Sequence, residues 1–290
     1  MRKQIDWVGT WFELLAKRGF QTDVILASGE PGSDQMTDFK RYSHARFDGV
    51  GVILEHLRSL GLKPPVPTLS EKFFGTWFNK MTGLIANLRF VPVFGAHWKK
   101  MTSLPSSGEG TYVYRILSKD QTSEILNASK ASGASVNSQL LWSLDQVLRA
   151  EWIDESGPFY WMVPVNMRGA AKKANDTSNH ASWVWVDTFK TKTPIEIQNQ
   201  IHERFKESFH WGAWFGLNIG KWIGLRGMNF LLKQAENIQE HWVGTFSNVG
   251  AWKVNSDPIA IIVPTAPSTP LSAGCITVND RLALSLHVDP

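Results

Sequence analysis

The stretch from Ser43 to Leu60 constrains the fold more than any other part of this chain. Its apolar residues follow the i, i+3, i+4, i+7 spacing of a helix with one buried face: Val50, Ile53, Leu54, Leu57 and Leu60. Asp48 and Gly49 stand directly before the pattern, and His44 precedes Asp48 by four residues. The pattern therefore predicts a half-buried helix that begins at Gly49, with His44 in a turn at its N-terminal end.

His44 and Asp48 suit complementary chemical roles. Histidine titrates near neutral pH without a perturbed pKa, so a histidine held in a fixed turn is a candidate general base. Asp48 can pair with an arginine or accept backbone N–H groups, and either contact would fix the turn that presents His44. Ordinary turn chemistry also explains a histidine near an Asp-Gly pair, and on these residues alone that interpretation stays open.

Strand-like and helix-like segments alternate along the chain, which predicts an α/β fold. Strands are predicted at 24–27, 39–43, 111–117, 159–165, 181–188, 245–249 and 281–288, and helices at 7–18, 49–60, 122–130, 137–152 and from 193 onward. The residues 193–196 form a capping-box pattern with proline at the first helical position, and 250–280 is predicted as a Pro-rich loop. The Ser/Gly/Pro segment 103–110 is predicted to be a linker, which divides the chain into domains at 1–105 and 106–290.

The residues His44-Ala45-Arg46-Phe47-Asp48-Gly49, followed by an apolar helix, resemble the HxxxDG motif of the chloramphenicol acetyltransferase-like superfamily. That superfamily includes coenzyme A-dependent acyltransferases, peptide-synthetase condensation domains and wax ester synthase/diacylglycerol acyltransferase proteins. Later segments resemble superfamily segments in the same order: Gly133–Asn137, Val163–Arg168, Asn179, Thr245–Gly250 and Leu282–Asp289. The resemblance implies two chloramphenicol acetyltransferase-like subdomains with a cleft between them, the first of them truncated.

The resemblance also implies a reaction. An acyl group would pass from a thioester, either acyl-CoA or carrier-bound, to a hydroxyl or amine acceptor. His44 would be the general base, Asp48 and Gly49 would complete the catalytic motif, and Arg168 would be the structural partner of Asp48. From the sequence alone, Arg168 could equally be a solvated charge at the end of a strand.

Ser247 and Asn248 are the implied donors to the oxyanion of the tetrahedral intermediate, since this segment approaches the cleft in the superfamily. A polar turn after a strand explains the same two residues. The chain departs from the superfamily at Ser43, where many members have a second histidine, and in having only 43 residues before His44. The short first part leaves open a second hypothesis, a truncated non-catalytic member that binds a hydrophobic ligand or a partner chain.

Composition narrows the range of partners and cofactors that can be expected. The net charge is +4 without a run of five basic residues, so nucleic-acid binding is not predicted. The single cysteine, Cys275, excludes an intrachain disulfide and a Cys-rich zinc site; no metal and no bound cofactor is expected beside the thioester co-substrate.

The 14 tryptophans and the aromatic segments 73–98 and 211–232 favour a lipophilic acceptor or acyl chain. A membrane-facing surface or a Trp-rich core would explain them as well. The expected location is cytoplasmic, with peripheral membrane association and the oligomeric state left open.

Overall fold

The structure is a computed structural model of the 290-residue chain. It describes residues 5–29, 36–89, 97–98, 111–154, 159–188, 193–236, 242–256, 258–266 and 269–288. In chain order the elements are α1 (Trp7–Lys17), β1 (Asp23–Gly29), β2 (Met36–Ser43), α2 (Gly49–Ser59), α3 (Trp77–Arg89), β3 (His97–Trp98), β4 (Thr111–Ile116), α4 (Lys119–Ala131), α5 (Val136–Glu151), β5 (Ile153–Asp154), β6 (Tyr160–Asn166), β7 (Ala181–Asp187), α6 (Pro194–Lys206), α7 (Phe209–Leu217), α8 (Gly220–Glu236), β8 (Gly244–Trp252), β9 (Ile259–Ile262), β10 (Leu271–Val278) and β11 (Arg281–Val288).

Two main sheets organise these strands. The larger sheet has the order β4-β11-β10-β8-β6-β7, with parallel pairing of β8 to both β10 and β6 and antiparallel pairing elsewhere. The smaller sheet has the order β2-β1-β9, and β3 pairs with β5. The predicted α/β class is therefore confirmed, and the helices 7–18 and 49–60 are found as α1 and α2.

Three apolar clusters stabilise the described fold. The largest forms where α5, α6 and α7 pack on the six-stranded sheet, around the fully buried Phe159 and Trp161. A second cluster joins α2 to β1 and β9 and to the hairpin end of the β10–β11 pair. The third is a small cluster between α1 and α8, built on Leu14, Leu15 and Met228. α1 and α8 therefore pack against each other through a small core that is separate from the other two.

The smaller sheet contains strands from both sides of the predicted domain boundary. β1 pairs antiparallel with β9, for example Ile25 with Ile262, although the two strands are more than two hundred residues apart in sequence. The linker predicted at 103–110 lies outside the described residues. Two parts of the chain that are far apart in sequence thus meet beside β2, the strand that leads to His44.

Two predictions of local structure were wrong. β9 and β10 lie in the segment that was predicted to be a loop; every described residue of β9 is buried, as are all but one of β10. A strand buried on both faces has no polar alternation to reveal it. The capping box at 193–196 is absent as well, because the Thr193 side chain makes no capping hydrogen bond, although Pro194 does begin α6.

In the described part of the chain, no helix has both the length and the apolar character that crossing a bilayer requires.

Candidate functional site

A tight turn from His44 to Asp48 connects β2 to α2. The amide groups of Arg46 and Phe47 both donate to the Ser43 carbonyl, at 2.9 and 3.0 Å. Asp48 is the N-cap of α2, with an extended backbone and a side-chain Oδ1 that accepts from the Gly51 amide at 2.7 Å. Aspartate is among the preferred N-cap residues for this reason. The Asp-Gly sequence therefore fixes where the helix begins and where the turn ends.

Asp48 also forms a bidentate ion pair with Arg168, which follows the end of β6. Arg168 Nη1 donates to Asp48 Oδ2 and Nη2 donates to Oδ1, both at 2.8 Å. The amide of His180 donates to the same Oδ2 at 2.7 Å. Asp48 is 4% exposed and Arg168 is 2% exposed, so the pair is buried. The suggested partnership of these two residues is present, and Arg168 is not a solvated charge.

The remaining donors of Arg168 are also used. Its Nε donates to the Asp176 carbonyl, Nη1 to Asn166 Oδ1 and Nη2 to the Ser178 carbonyl, at 2.6, 3.0 and 2.8 Å. Together with the two bonds to Asp48, all five guanidinium N–H groups have acceptors. A buried charge whose hydrogen bonds are complete can hold several chain segments in one geometry. Arg168 thereby joins the His44–Asp48 turn to the loop between β6 and β7.

Asn179, in that same loop, is a functional-site residue to which the sequence assigned no role. It is fully buried, and its side-chain Nδ2 donates to the His44 carbonyl at 2.8 Å. Its amide donates to the Arg46 carbonyl at 3.1 Å, and its Oδ1 accepts from the Ala181 amide at 3.0 Å. The loop therefore holds the turn at both of its ends, through Asn179 at His44 and through Arg168 at Asp48.

The His44 ring has one defined tautomer. Its Nδ1 lies 2.7 Å from the Phe47 carbonyl oxygen. A carbonyl only accepts, so Nδ1 carries the proton and the lone pair of the neutral ring is on Nε2. Burial lowers the pKa of His44, partly offset by the bond to the Phe47 carbonyl and by the charge of Asp48. The neutral ring, with Nε2 able to accept a proton, is thus the favoured form at neutral pH.

His44 lines a cavity of about 340 Å³ whose wall is mostly apolar. Gly49 lines it as well, together with residues of α1, β6, β7 and β8 and of the segment after β9. A Cβ on Gly49 would lie 2.7 Å from Cγ1 of Val249 and 3.2 Å from Cδ1 of Ile261. A larger residue at this position would have to displace the side chains of Val249 and Ile261, so glycine lets α2 begin close to β8 and β9.

Ser247 and Asn248 differ in whether they face the cavity. Ser247 and Thr245 line the cavity, whereas Asn248 is exposed and its Oδ1 accepts from the Gly250 amide at 2.9 Å. Successive residues of a strand point to opposite faces, so one of the two neighbours had to turn away. The expectation that Asn248 approaches the cavity is therefore not met, and Ser247 is the residue of the pair that faces it.

Helix α1 covers the His44–Asp48 turn, which the sequence did not indicate. The rings of Phe12 and His44 have centroids 4.1 Å apart, at an interplanar angle of 43°. A Cβ on Gly9 would lie 2.4 Å from the Ala45 carbonyl oxygen, so glycine allows the helix to approach the turn. The N-cap residue of α1, Asp6, pairs with Lys173 at 2.9 Å. Contacts between distant segments leave no local pattern from which to predict them.

Within the described ranges, no group of three or more His, Cys, Asp or Glu side chains is placed to hold a metal ion.

Comparison with known proteins gives a fold. No protein-family model matches the sequence, and no curated protein matches it. Among solved structures, the epimerization domain from the third module of tyrocidine synthetase B aligns with a TM-score of 0.50 and 13% identity, over 87% of this chain and 63% of that one. The EpoB cyclization-docking bidomain from Sorangium cellulosum gives 0.51 and 14%, over 86% and 54%.

The AMPPNP-bound form of the nonribosomal peptide synthetase FmoA3 gives a TM-score of 0.52 and 13% identity, over 84% of this chain and 27% of that one. The chain thus spans less than two thirds of the length of these neighbours. Their similarity confirms the predicted fold class: the chain has the α/β architecture of the chloramphenicol acetyltransferase-like fold.

Proposed function

We propose that this protein is an acyltransferase that moves an acyl group from a thioester to a hydroxyl or amine, with His44 as the general base. The observation that carries the proposal is the state of the His44 ring. The Phe47 carbonyl holds the proton on Nδ1, while Nε2 makes no hydrogen bond within the described residues and the ring lines an apolar cavity. The similarity of fold agrees with this class of reaction but is only an analogy.

In the proposed reaction, Nε2 of His44 removes the proton from the acceptor hydroxyl or amine. The acceptor oxygen or nitrogen forms a bond to the thioester carbonyl carbon, and the carbonyl becomes an oxyanion. When the carbon–sulfur bond breaks, the thiolate takes the proton back from Nε2. Acyl-CoA or an acyl-carrier thioester is the co-substrate, and the chemistry needs no covalent enzyme intermediate.

Ser247 is the proposed donor to the oxyanion. Its side chain lines the same cavity as His44, which supports this role. Loss of one oxyanion donor typically lowers the rate by about 10²–10³. Ser247→Ala should therefore lower kcat by a factor of this order and leave the fold intact.

Asp48, Arg168 and Asn179 are proposed to position His44, and of these three Asp48 also lines the cavity. Each contacts the backbone or the end of the His44–Asp48 turn, and each is buried. The mostly apolar wall of the cavity supports a lipophilic acyl chain or acceptor. Aromatic side chains of α1, Trp11 and Phe12, contribute to that wall.

The experiment is an assay of free-thiol release with a panel of acyl-CoAs and acceptors. The acceptors should include long-chain and short-chain alcohols and amines. We expect turnover with long, apolar partners. Turnover restricted to short acyl groups and polar acceptors would contradict the lipophilic class, while leaving acyl transfer in place.

A second candidate function is binding of a hydrophobic ligand without catalysis. The tilted contact between the Phe12 and His44 rings favours it, because an aromatic ring whose centroid lies 4.1 Å from that of the imidazole restricts access to the base. In that case a long-chain acyl ligand would bind with the same affinity to wild type and to His44→Gln, and no thiol would be released. Binding with turnover that His44→Gln abolishes would exclude this candidate.

A further inference from the structure

The outer side of α8 has an unusual composition for an exposed surface. Trp222 is 86% exposed and Phe230 is 62% exposed, and three further apolar residues of α8 have large exposed fractions: Ile223, Leu225 and Leu231. Single exposed apolar residues are ordinary, but five on one 17-residue element are more than the ordinary scatter and point to an interaction surface. Large amphipathic rings such as indole are favoured where one side is apolar and the other wet.

The charged residues of α8 before its last turn are all basic. From Gly220 to Gln234 the sequence contains Lys221, Arg226 and Lys233 and no acid, the next being Glu236. All three bases are exposed. Arg226 and Lys233 lie four residues before and three residues after Phe230, so the three side chains share one helical face. An exposed aromatic ring flanked by bases complements a surface that is apolar inside and anionic outside.

The inner side of α8 is attached to the wall of the cavity. Met228 and Leu232 are buried against Leu14 and Leu15 of α1, and Leu15 also lines the cavity that contains His44. Because Phe230 and Met228 are two residues apart, they point to opposite sides of the helix. α8 thus presents Phe230 outward and supports the cavity wall inward.

Two local features define the shape of α8 and its attachment to α1. Gly224 has φ 62° and ψ −175°, a conformation suited to glycine, and it separates the turn that carries Trp222 from the helix that carries Phe230. Arg18, at the end of α1, donates to the Asn229 carbonyl at 3.1 Å. The part of α8 that carries Phe230 is therefore bonded directly to α1.

We propose that the outer side of α8 binds the surface of a lipid bilayer that contains anionic lipids. Its apolar residues would enter the boundary between headgroups and acyl chains, while Lys221, Arg226 and Lys233 would contact the negative headgroups. Only α8 would then separate the cavity wall formed by α1 from the membrane. The axes of two packed helices lie about 8–10 Å apart. This binding does not depend on the proposed acyl transfer.

The test is co-sedimentation of the whole protein with vesicles of phosphatidylcholine alone or with one third phosphatidylserine. We expect binding to the anionic vesicles to exceed binding to the neutral ones and to weaken with salt. Trp222→Glu and Phe230→Glu should each lower the partition coefficient at least tenfold. The matched control is Val147→Glu, at a 60% exposed position of α5, which should bind like wild type.

A second variant separates charge from apolar contact. Arg226→Gln with Lys233→Gln should lower partition into anionic vesicles about 25-fold, at about fivefold for each base near the surface, with little effect on neutral vesicles. Circular dichroism and thermal melting of each variant check that it is folded. Wild type that binds both vesicles equally, or Trp222→Glu that binds like Val147→Glu, would overturn the proposal. So would self-association that Trp222→Glu abolishes in light scattering, because the surface would then join two copies of the chain.

Discussion

Replacing Asp48 by alanine should destabilise the protein far more than the loss of an ordinary ion pair. The Asp48 carboxylate accepts four hydrogen bonds: two from Arg168, one from the Gly51 amide and one from the His180 amide. Without it, the charge of Arg168 stays buried and lacks its counterion. Breaking a buried pair from one side typically costs about 3–5 kcal/mol.

A matched control lies in the same region. Asp176 pairs with Arg58 at 2.6 Å, but both side chains are 38% exposed. Exposed pairs of this kind contribute about 0–1 kcal/mol. Asp176→Ala removes that side chain and keeps the backbone carbonyl that accepts from Arg168 Nε. The two variants therefore compare a buried with an exposed carboxylate on neighbouring segments.

The assay is thermal melting of wild type and the two variants at pH 7. At about 2–4 °C per kcal/mol for a large domain, Asp48→Ala should lower Tm by roughly 6–20 °C and Asp176→Ala by at most about 4 °C. Asp48→Asn keeps one acceptor oxygen and should recover a part of the difference. Equal shifts for Asp48→Ala and Asp176→Ala would refute the argument that the buried pair holds the turn.

Three further predictions concern pH, packing and reactivity. Burial lowers the pKa of four histidines below the ordinary value, so the unfolded state binds protons before the folded state as pH falls. The free energy of unfolding should therefore decrease as pH falls below about 6.5. Urea denaturation at pH 7.5 and 5.5 measures this change, and equal stabilities would contradict it. The four are His44, His56, His180 and His210. Gly51→Ala should lower Tm by several degrees, since a Cβ there would lie 2.0 Å from the Thr177 carbonyl oxygen, whereas Gly216→Ala, where a Cβ meets nothing within 4 Å, should not. Burial raises the pKa of the Cys275 thiol, so thiol reagents should label it only after denaturation, and rapid labelling of the folded protein would contradict the buried assignment.

Elements at the site could be predicted from the local sequence where one side of the element is exposed to solvent, because polar residues then mark that side. The helix that begins at Gly49 was predicted from apolar spacing, and Asp48 is an N-cap by its own chemistry. β9 and β10 were missed because their described residues are almost all buried, so polar residues do not mark one face. Local patterns therefore located the turn but missed part of the sheet behind it.

The contacts around His44 depend on tertiary structure. Arg168 was suggested as the partner of Asp48 only through a resemblance, because 120 residues separate the two in sequence. Asn179 and Phe12 touch His44 from other segments; Asn179 was noted only as part of the resemblance, and neither contact was predicted. Asn248 was expected beside Ser247, but the alternation of a strand separates adjacent side chains. Candidate chemical roles could thus be proposed for residues from the sequence, whereas most of the contacts around His44 could not be predicted from it.

The measurement that tests the central proposal most directly is acyl transfer by His44→Ala beside wild type, across pH 5 to 9. The control is His202→Ala, which replaces an exposed histidine of α6 outside the cavity. We expect the wild-type rate to rise with pH through a pKa below 6.5, since burial lowers the pKa of His44, and then to level off. His44→Ala should lose about 10²–10⁴ in rate and the acid limb of the profile, with Tm close to wild type, while His202→Ala retains both. A folded His44→Ala protein that keeps the wild-type rate and pH profile would contradict the assignment of His44 as the general base.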